Sequence, residues 1–219
     1  MANIKLQDLT AMIHNTSRYN GNQFDMVHVE ILLNTDVPLT PEMQWFVPVG
    51  VSVPNEVLQL FKATNLAMYP MSADEIIKDT QDIFEQANAG NLQEVESDAA
   101  KLMLRAVMKK TPFTPVSGSN NLYHLAYDYK LFPIKESPNM FDFKVVLPFS
   151  GLGMPNGSKV QMTVITPIGS NIEPTVTKGI AVNGQQINEL VHPVGNTGRK
   201  IVSFEYQITD PLFTIRYTY

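Results

Sequence analysis

Residues 141–219 read FDFKVVLPFSGLGMPNGSKVQMTVITPIGSNIEPTVTKGIAVNGQQINELVHPVGNTGRKIVSFEYQITDPLFTIRYTY, and the fold turns on this stretch. Phe141, Phe143, Val145 and Leu147 alternate with Asp142, Lys144 and Val146. The same period of two returns in 159–166 and in 200–209, where Val202, Phe204, Tyr206 and Ile208 share a face. It returns again at the end of the chain, where Phe213, Ile215, Tyr217 and Tyr219 oppose Thr214, Arg216 and Thr218. Successive side chains of a strand point to opposite faces, so each run is a strand with one apolar side. The punctuation between runs is turn chemistry. Residues 151–157 include Asn156-Gly157, suited to a type I′ hairpin, and Asn183-Gly184 separates 175–182 from 185–191. Pro167 with Gly169, and Asp210-Pro211, mark further stops. Short alternating strands at this spacing predict an antiparallel, Ig-like β-sandwich.

Working back from there, residues 122–140 are aromatic-rich. Leu122, His124 and Ala126 alternate with Tyr123, Leu125, Tyr127 and Tyr129, which predicts a strand leading into the sandwich. Residues 111–121 (TPFTPVSGSNN) are the linker candidate. Residues from about 72 to 110 predict an antiparallel αα-hairpin. In its first helix Ser72 and Glu75 form a capping box, and Ile76, Ile77, Thr80, Ile83, Phe84 and Ala87 form an apolar stripe. Asn88-Ala89-Gly90 ends it. A second helix is predicted from Leu92 to Lys109 with Leu92, Val95, Ala99, Leu102, Met103, Ala106 and Val107 inward. Its acidic start (Glu94, Glu96, Asp98) and basic end (Lys109, Lys110) suit the helix macrodipole.

The first seventy residues are mixed and loop-rich. Residues 4–14 place apolar side chains at 4, 6, 9, 12 and 13, the pattern of a short amphipathic helix. Residues 24–33 predict a strand whose core face is Val27, Val29, Ile31 and Leu33. Prolines 38, 41, 48 and 54 break the next segment into extended pieces, including Trp45-Phe46-Val47 and 49–53, and 54–64 predicts a helix. The expected class is therefore α+β. A mixed region with the helical hairpin occupies 1–110, a linker 111–121, and the sandwich 122–219.

Composition narrows function. Of 219 residues 44% are apolar and only 17% charged, below the roughly 25% typical of soluble domains, so much of the surface is uncharged and polar. Such a surface suits a protein packed against copies of itself. The net charge is −5 with no basic cluster beyond Lys109-Lys110 and Arg199-Lys200, which argues against nucleic acid. There is no cysteine, which removes disulfides, thiolate zinc sites, iron–sulfur clusters and cysteine nucleophiles. Residues 1–15 lack the apolar stretch of a signal peptide, and no run is long enough for a membrane span, so the chain is expected to be made in the cytoplasm.

Each catalytic candidate is thin. His14, His28, His124 and His192 form no paired metal-binding motif. Residues 151–157 carry three glycines, yet their spacing fits neither the dinucleotide nor the P-loop pattern. Most acids sit on the expected helices as solvated faces. No cofactor, metal or catalytic residue is therefore assigned, and the expected role is a non-enzymatic structural or assembly subunit of a multi-subunit particle, in a setting such as a phage virion (neck, tail or head decoration). Its partners are expected to be copies of itself and other structural subunits. The candidate interface is Trp45, Phe46, Tyr123, Tyr127, Tyr129 and Phe132, since aromatics are enriched in subunit contacts. The alternative is a protein- or carbohydrate-binding module using 151–157, 169–174 and 193–198 or the Tyr123–Phe132 group. An enzyme built on His28, Glu30 and Asp25 ranks last.

Overall fold

Two β-sheets share one hydrophobic core, and a third, smaller layer of helices has a core of its own. The computed structural model describes residues 2–48, 53–64, 66, 68–72, 76, 83–206 and 210–219. Among the described residues the larger sheet has seven strands. From one edge they run β12 (Leu190–Pro193), β13 (Lys200–Tyr206), β8 (Lys159–Ile165), β1 (Ile4–His14), β2 (Asp25–Thr35), β6 (Leu122–Leu131) and β5 (Thr114–Pro115). The smaller sheet runs β11 (Gln186–Ile187), β10 (Lys178–Ile180), β14 (Leu212–Thr218) and β7 (Met140–Val146), with β9 (Asn171–Ile172) also paired to β14. The predicted alternation holds on both inner faces. Val160, Met162, Val164, Val202, Phe204 and Tyr206 come from the larger sheet; Phe141, Phe143, Val145, Phe213, Ile215 and Tyr217 come from the smaller. Phe213 joins the layers, its ring centroid 4.9 Å from that of Phe204 and 5.1 Å from that of Tyr206. Ile208 and residues 49–52, expected in strands, lie outside the described residues.

The structure corrects the first segment. Residues 4–14 form a strand, not a helix. Gln7, Leu9, Ala11 and Ile13 are buried, while Leu6 and Met12, which a helical reading places on the same stripe, lie on the opposite face. The buried Gln7, whose Oε1 accepts a 3.3 Å hydrogen bond from the Phe149 N–H, masks the period of two. β1 pairs antiparallel with β2 and parallel with β8, so the larger sheet is mixed rather than purely antiparallel. Long-range pairing on both edges decides the conformation against a weak local preference.

That placement also puts β1 and β2 between β8 and β6, so N-terminal strands complete the sheet that the C-terminal strands begin. Residues 111–121 lead into β6 and carry β5 within them, paired to it at Thr114↔His124 and Pro115↔Tyr123. Turn chemistry differs in detail as well. Asn156-Gly157 joins β7 and β8, which lie in different sheets, so it is a turn between layers and not a hairpin. Around Asn183-Gly184 only the glycine has positive φ (+81°), whereas type I′ needs it at both central residues, and the β10–β11 loop is correspondingly longer.

The described helices are α1 (Asn55–Ala63), α2 (Ile83–Asn88) and α3 (Leu92–Val107), each within a segment expected to be helical, with Gly90 at φ +78° between the last two. The Ile76 N–H donates to the Ser72 carbonyl at 3.2 Å; Glu75, Ile77 and Thr80 lie outside the described residues. A two-stranded ribbon of β3 (Trp45–Pro48) and β4 (Met108–Thr111) connects the two cores. Trp45 and Val47 face the sandwich, and Phe46 between them faces the helices, as strand alternation requires. The second core gathers Phe46, Phe61, Met71, Ile76, Ala100, Leu104 and Met108.

Here the inward face of α3 needs a second correction. Ala100 and Leu104 are buried, continuing to Met108 at four-residue steps, and Asp98 is buried with its carboxylate 3.3 Å from Lys101 Nζ. Leu92, Leu102 and Met103, expected inside, face solvent. Ala100 and Leu104 share the second core with Phe46 and Met108 of the ribbon. The line 100–104–108 therefore wins over a wider stripe that offers more apolar area but no matching wall.

Candidate functional site

Five of the six aromatic residues marked as an interface are used inside the chain. Trp45 is buried edge-on to Phe113 at 5.0 Å, and its Nε1 donates to the Ser150 carbonyl at 3.2 Å. Phe46 lies in the second core with the Arg105 guanidinium 5.6 Å from its ring centre. The Tyr123 hydroxyl accepts from the Leu39 N–H at 2.8 Å and donates to the Asn120 carbonyl at 3.1 Å. Tyr127 and Tyr129 pack with ring centres 6.1 Å apart, and burial pushes both phenols up in pKa. Phe132 alone is partly exposed, edge-on to Phe24 at 6.2 Å. Parity carried the signal: Tyr123, Tyr127 and Tyr129 share register with Leu125 and Leu131, so they share the core.

The three residues considered for catalysis are separated by the same rule. Asp25 points inward, accepting from the Ser17 N–H at 2.9 Å, the Tyr217 hydroxyl at 2.7 Å and the Tyr219 hydroxyl at 2.8 Å. This buried carboxylate ties β2 to the last strand, which is a structural task. His28 and Glu30 point outward, onto the solvent face of the larger sheet. There His28 Nδ1 lies 2.8 Å from Asp128 on β6 and Nε2 lies 3.3 Å from Glu30. The Asp128 hydrogen bond, then that of Glu30, raises the imidazole pKa above 6.5. Protonated, the ring donates from both nitrogens and leaves no lone pair for a metal. Among the described residues no group of three His, Cys, Asp or Glu is arranged to hold a metal ion.

Beside this cluster the outer face is apolar. Across the sheet, Asp128 pairs with His28, His28 with Met12, Met12 with Ile165, Ile165 with Ile201, and Ile201 with His192. Met12, Ile165 and Ile201 thus form a continuous, partly exposed row on three adjacent strands. On the smaller sheet Ile180, Leu212 and Val146 make a similar outward row. Sequence reading missed both rows because each strand contributes a single apolar residue; only the register assembles them.

Two further features are exposed. α3 turns its apolar stripe outward, with Leu92, Leu102 and Met103 at 76%, 43% and 47% exposure, and Phe84 of α2 reaches 81%. Between α1 and the turn after β6 lies a cleft of about 270 Å³, walled by Leu58, Phe61, Leu66, Leu131 and Phe132, with Lys62 and Lys135 among its polar lining. Burial lowers the Lys62 pKa. Of the loops marked for binding, 169–174 and 193–198 meet where the Gly169 N–H donates to the Gly198 carbonyl at 2.8 Å. Residues 151–157 are tied instead to the start of the chain, through the Gly153 N–H to the Ala2 carbonyl at 2.8 Å. No helix among the described residues is long and apolar enough to cross a membrane. No protein-family model matches the chain, and comparison with curated proteins returns no match.

Proposed function

We propose that this protein is a non-enzymatic structural subunit that assembles with copies of itself and with other subunits of a particle, a phage virion being the setting its character suits. The observation that carries the reading is the row Met12–Ile165–Ile201 on the outer face of the seven-stranded sheet. Scattered apolar side chains are normal on any surface, whereas contiguous ones mark contact sites. A surface low in charge supports the same reading, because charged residues are depleted at the centres of subunit contacts. The Ig-like character inferred from strand spacing is part of this proposal. Size-exclusion chromatography with light scattering tests it: assembly above the monomer mass, rising with concentration, is expected. A monomer at every accessible concentration refutes it.

One observation favours a second reading, a binding module. The cleft beside α1 includes Tyr129 and Phe132, members of the aromatic group singled out from the sequence, next to Lys62 and Lys135. The charged lining is Lys62, Lys135, Lys144, Glu136 and Asp142, and Asp142 is engaged by Lys144 and by Arg216. Apolar walls with this excess of lysine suit a small amphipathic anion better than a sugar, which asks for many hydrogen-bonding partners. Titration with octanoate, followed by amide chemical shifts, distinguishes this reading. Saturable shifts confined to the cleft residues support it, and their absence removes it.

A further inference from the structure

Three Asn-Gly pairs stand in the chain, at 20–21, 156–157 and 183–184, and the fold treats them differently. We propose that Asn156-Gly157 is a self-modifying site, at which the folded chain converts its own asparagine to aspartate and isoaspartate while the other two pairs are held back. This reaction goes beyond the assembly reading and does not depend on it.

The chemistry needs no partner but water. The Gly157 nitrogen attacks Asn156 Cγ, a C–N bond forms there, and the Cγ–Nδ2 bond breaks. Nδ2 leaves as ammonia, carrying the proton that the Gly157 amide gives up, and a five-membered imide remains. Water then opens either imide carbonyl. Breaking the new bond to Cγ gives aspartate. Breaking the bond to the backbone carbonyl carbon of Asn156 gives isoaspartate, whose chain runs on through Cβ and Cγ. A glycine after the asparagine favours the attack, because no Cβ crowds its nitrogen. Two further conditions belong to the structure: the side-chain amide must be able to turn toward that nitrogen, and the N–H must be open to a base.

At the first pair both ends of the amide are occupied. Asn20 Nδ2 donates to the Phe24 carbonyl at 2.9 Å, and Oδ1 accepts from the Gln23 N–H at 3.0 Å. At the third pair Asn183 Oδ1 accepts from the Gln185 N–H at 3.0 Å. There the attacking nitrogen is committed as well, since the Gly184 N–H donates to the Ala181 carbonyl at 2.8 Å. The second pair differs. Asn156 and Gly157 are both exposed, and among the described residues no hydrogen bond engages the Asn156 side chain or the Gly157 N–H. The end of that turn is nevertheless fixed: the Ser158 N–H donates to the Pro155 carbonyl at 3.1 Å, and the Ser158 hydroxyl lies 2.6 Å from the Ile4 carbonyl oxygen. Isoaspartate lengthens the backbone between Pro155 and Ser158 by one atom, just before β8 begins to pair with β1.

Trypsin separates the three pairs into peptides 19–62, 145–159 and 179–199, and Asn156 is the only asparagine of the middle one. Folded protein is incubated at mildly alkaline pH, and each pair is followed by fragmentation mass spectrometry, with isoaspartate reported by enzymatic carboxyl methylation. Peptide 145–159 is expected to convert first. The pairs at 20–21 and 183–184 are expected to follow about tenfold more slowly, the factor that about 1.4 kcal/mol of hydrogen bonding makes in a rate. In guanidinium chloride, where those hydrogen bonds are gone, all three are expected to convert at similar rates. Asn156→Gln is expected to leave 145–159 unmodified, because its imide would need a six-membered ring. Conversion of 19–62 or 179–199 in the folded protein as fast as that of 145–159, or no conversion of 145–159, overturns the proposal. The same order of rates in guanidinium chloride overturns it too, because sequence and not the fold would then set that order.

Discussion

β2 and α3 make the same offer in sequence, an apolar side and a polar side at the correct period, and the protein answers them in opposite ways. Val27, Val29, Ile31 and Leu33 of β2 are fully buried, as their alternation says. On α3 the residues with the strongest stripe face solvent, and the buried line is Ala100 and Leu104. The difference is one of constraint. A strand has two faces, and pairing with β1 and β6 fixes both neighbours, so a wrong phase would invert every side chain at once. A helix can rotate by a fraction of a turn at little cost, and the wall it meets decides which stripe is buried. Periodicity therefore reports that an apolar face exists; only in the sheet does it also say where that face goes.

The largest test of this contrast lies in the sandwich. Phe213 is fully buried, with Phe204 and Tyr206 against its ring. Phe213→Ala is expected to cost about 3–5 kcal/mol in urea unfolding, as for other core aromatic truncations. A loss below about 1 kcal/mol would break the claim that the two sheets share one core. On α3 the informative experiment is a pair. Leu104→Ala is expected to cost about 2–5 kcal/mol, and Leu102→Ala, two residues away, under about 0.5 kcal/mol at concentrations where the protein is monomeric. Reversal of that order would show that α3 packs by the stripe read from sequence.

A smaller effect sharpens the sheet side. Gly179 on β10 lies against Phe213, and a Cβ added there would sit 2.7 Å from its ring. The backbone there is not in the left-handed region, so the glycine is required by close approach alone. With Phe213 buried and held between neighbours, Gly179→Ala is expected to destabilise by about 1–3 kcal/mol, an overpacking cost measurable by thermal unfolding. If Phe213→Ala is made first, Gly179→Ala should cost much less, because the obstructing ring is gone.

How much was legible follows from the same physics. β7, β8, β13, β14, β2 and the existence of all three described helices could be read from local period, because those segments show one face clearly; the single strand expected over 185–191 is instead split between β11 and β12, in different sheets. β1 could not, since Gln7 and Ala11 occupy core positions and Leu6 and Met12 do not. The burial of Tyr123, Tyr127 and Tyr129 was legible for a related reason: aromatic residue type suggested surfaces, while their parity with Leu125 and Leu131 already said core. The contacts Met12–Ile165 and His28–Asp128 join residues a hundred or more positions apart, and no local pattern contains them.

His28 supplies the smallest prediction and the one that reads register directly. Its pKa is raised above 6.5 by the hydrogen bond to Asp128 first and by that to Glu30 second. A histidine whose folded value exceeds the unfolded one binds its proton more tightly in the native state. The stabilisation is thus fully present below about pH 6.5 and fades as pH rises through the raised native value. Because the side chains are 41–63% exposed, solvent screening holds the contribution to about 0.2–1 kcal/mol. Imidazole titration by NMR is the sharper readout. Asp128→Asn should move the His28 midpoint down toward 6.5, and Glu30→Gln should move it less. Equal shifts, or none, would mean that β2 and β6 are not aligned at this pair, and with that the outer-face row on which the assembly reading depends would lose its register.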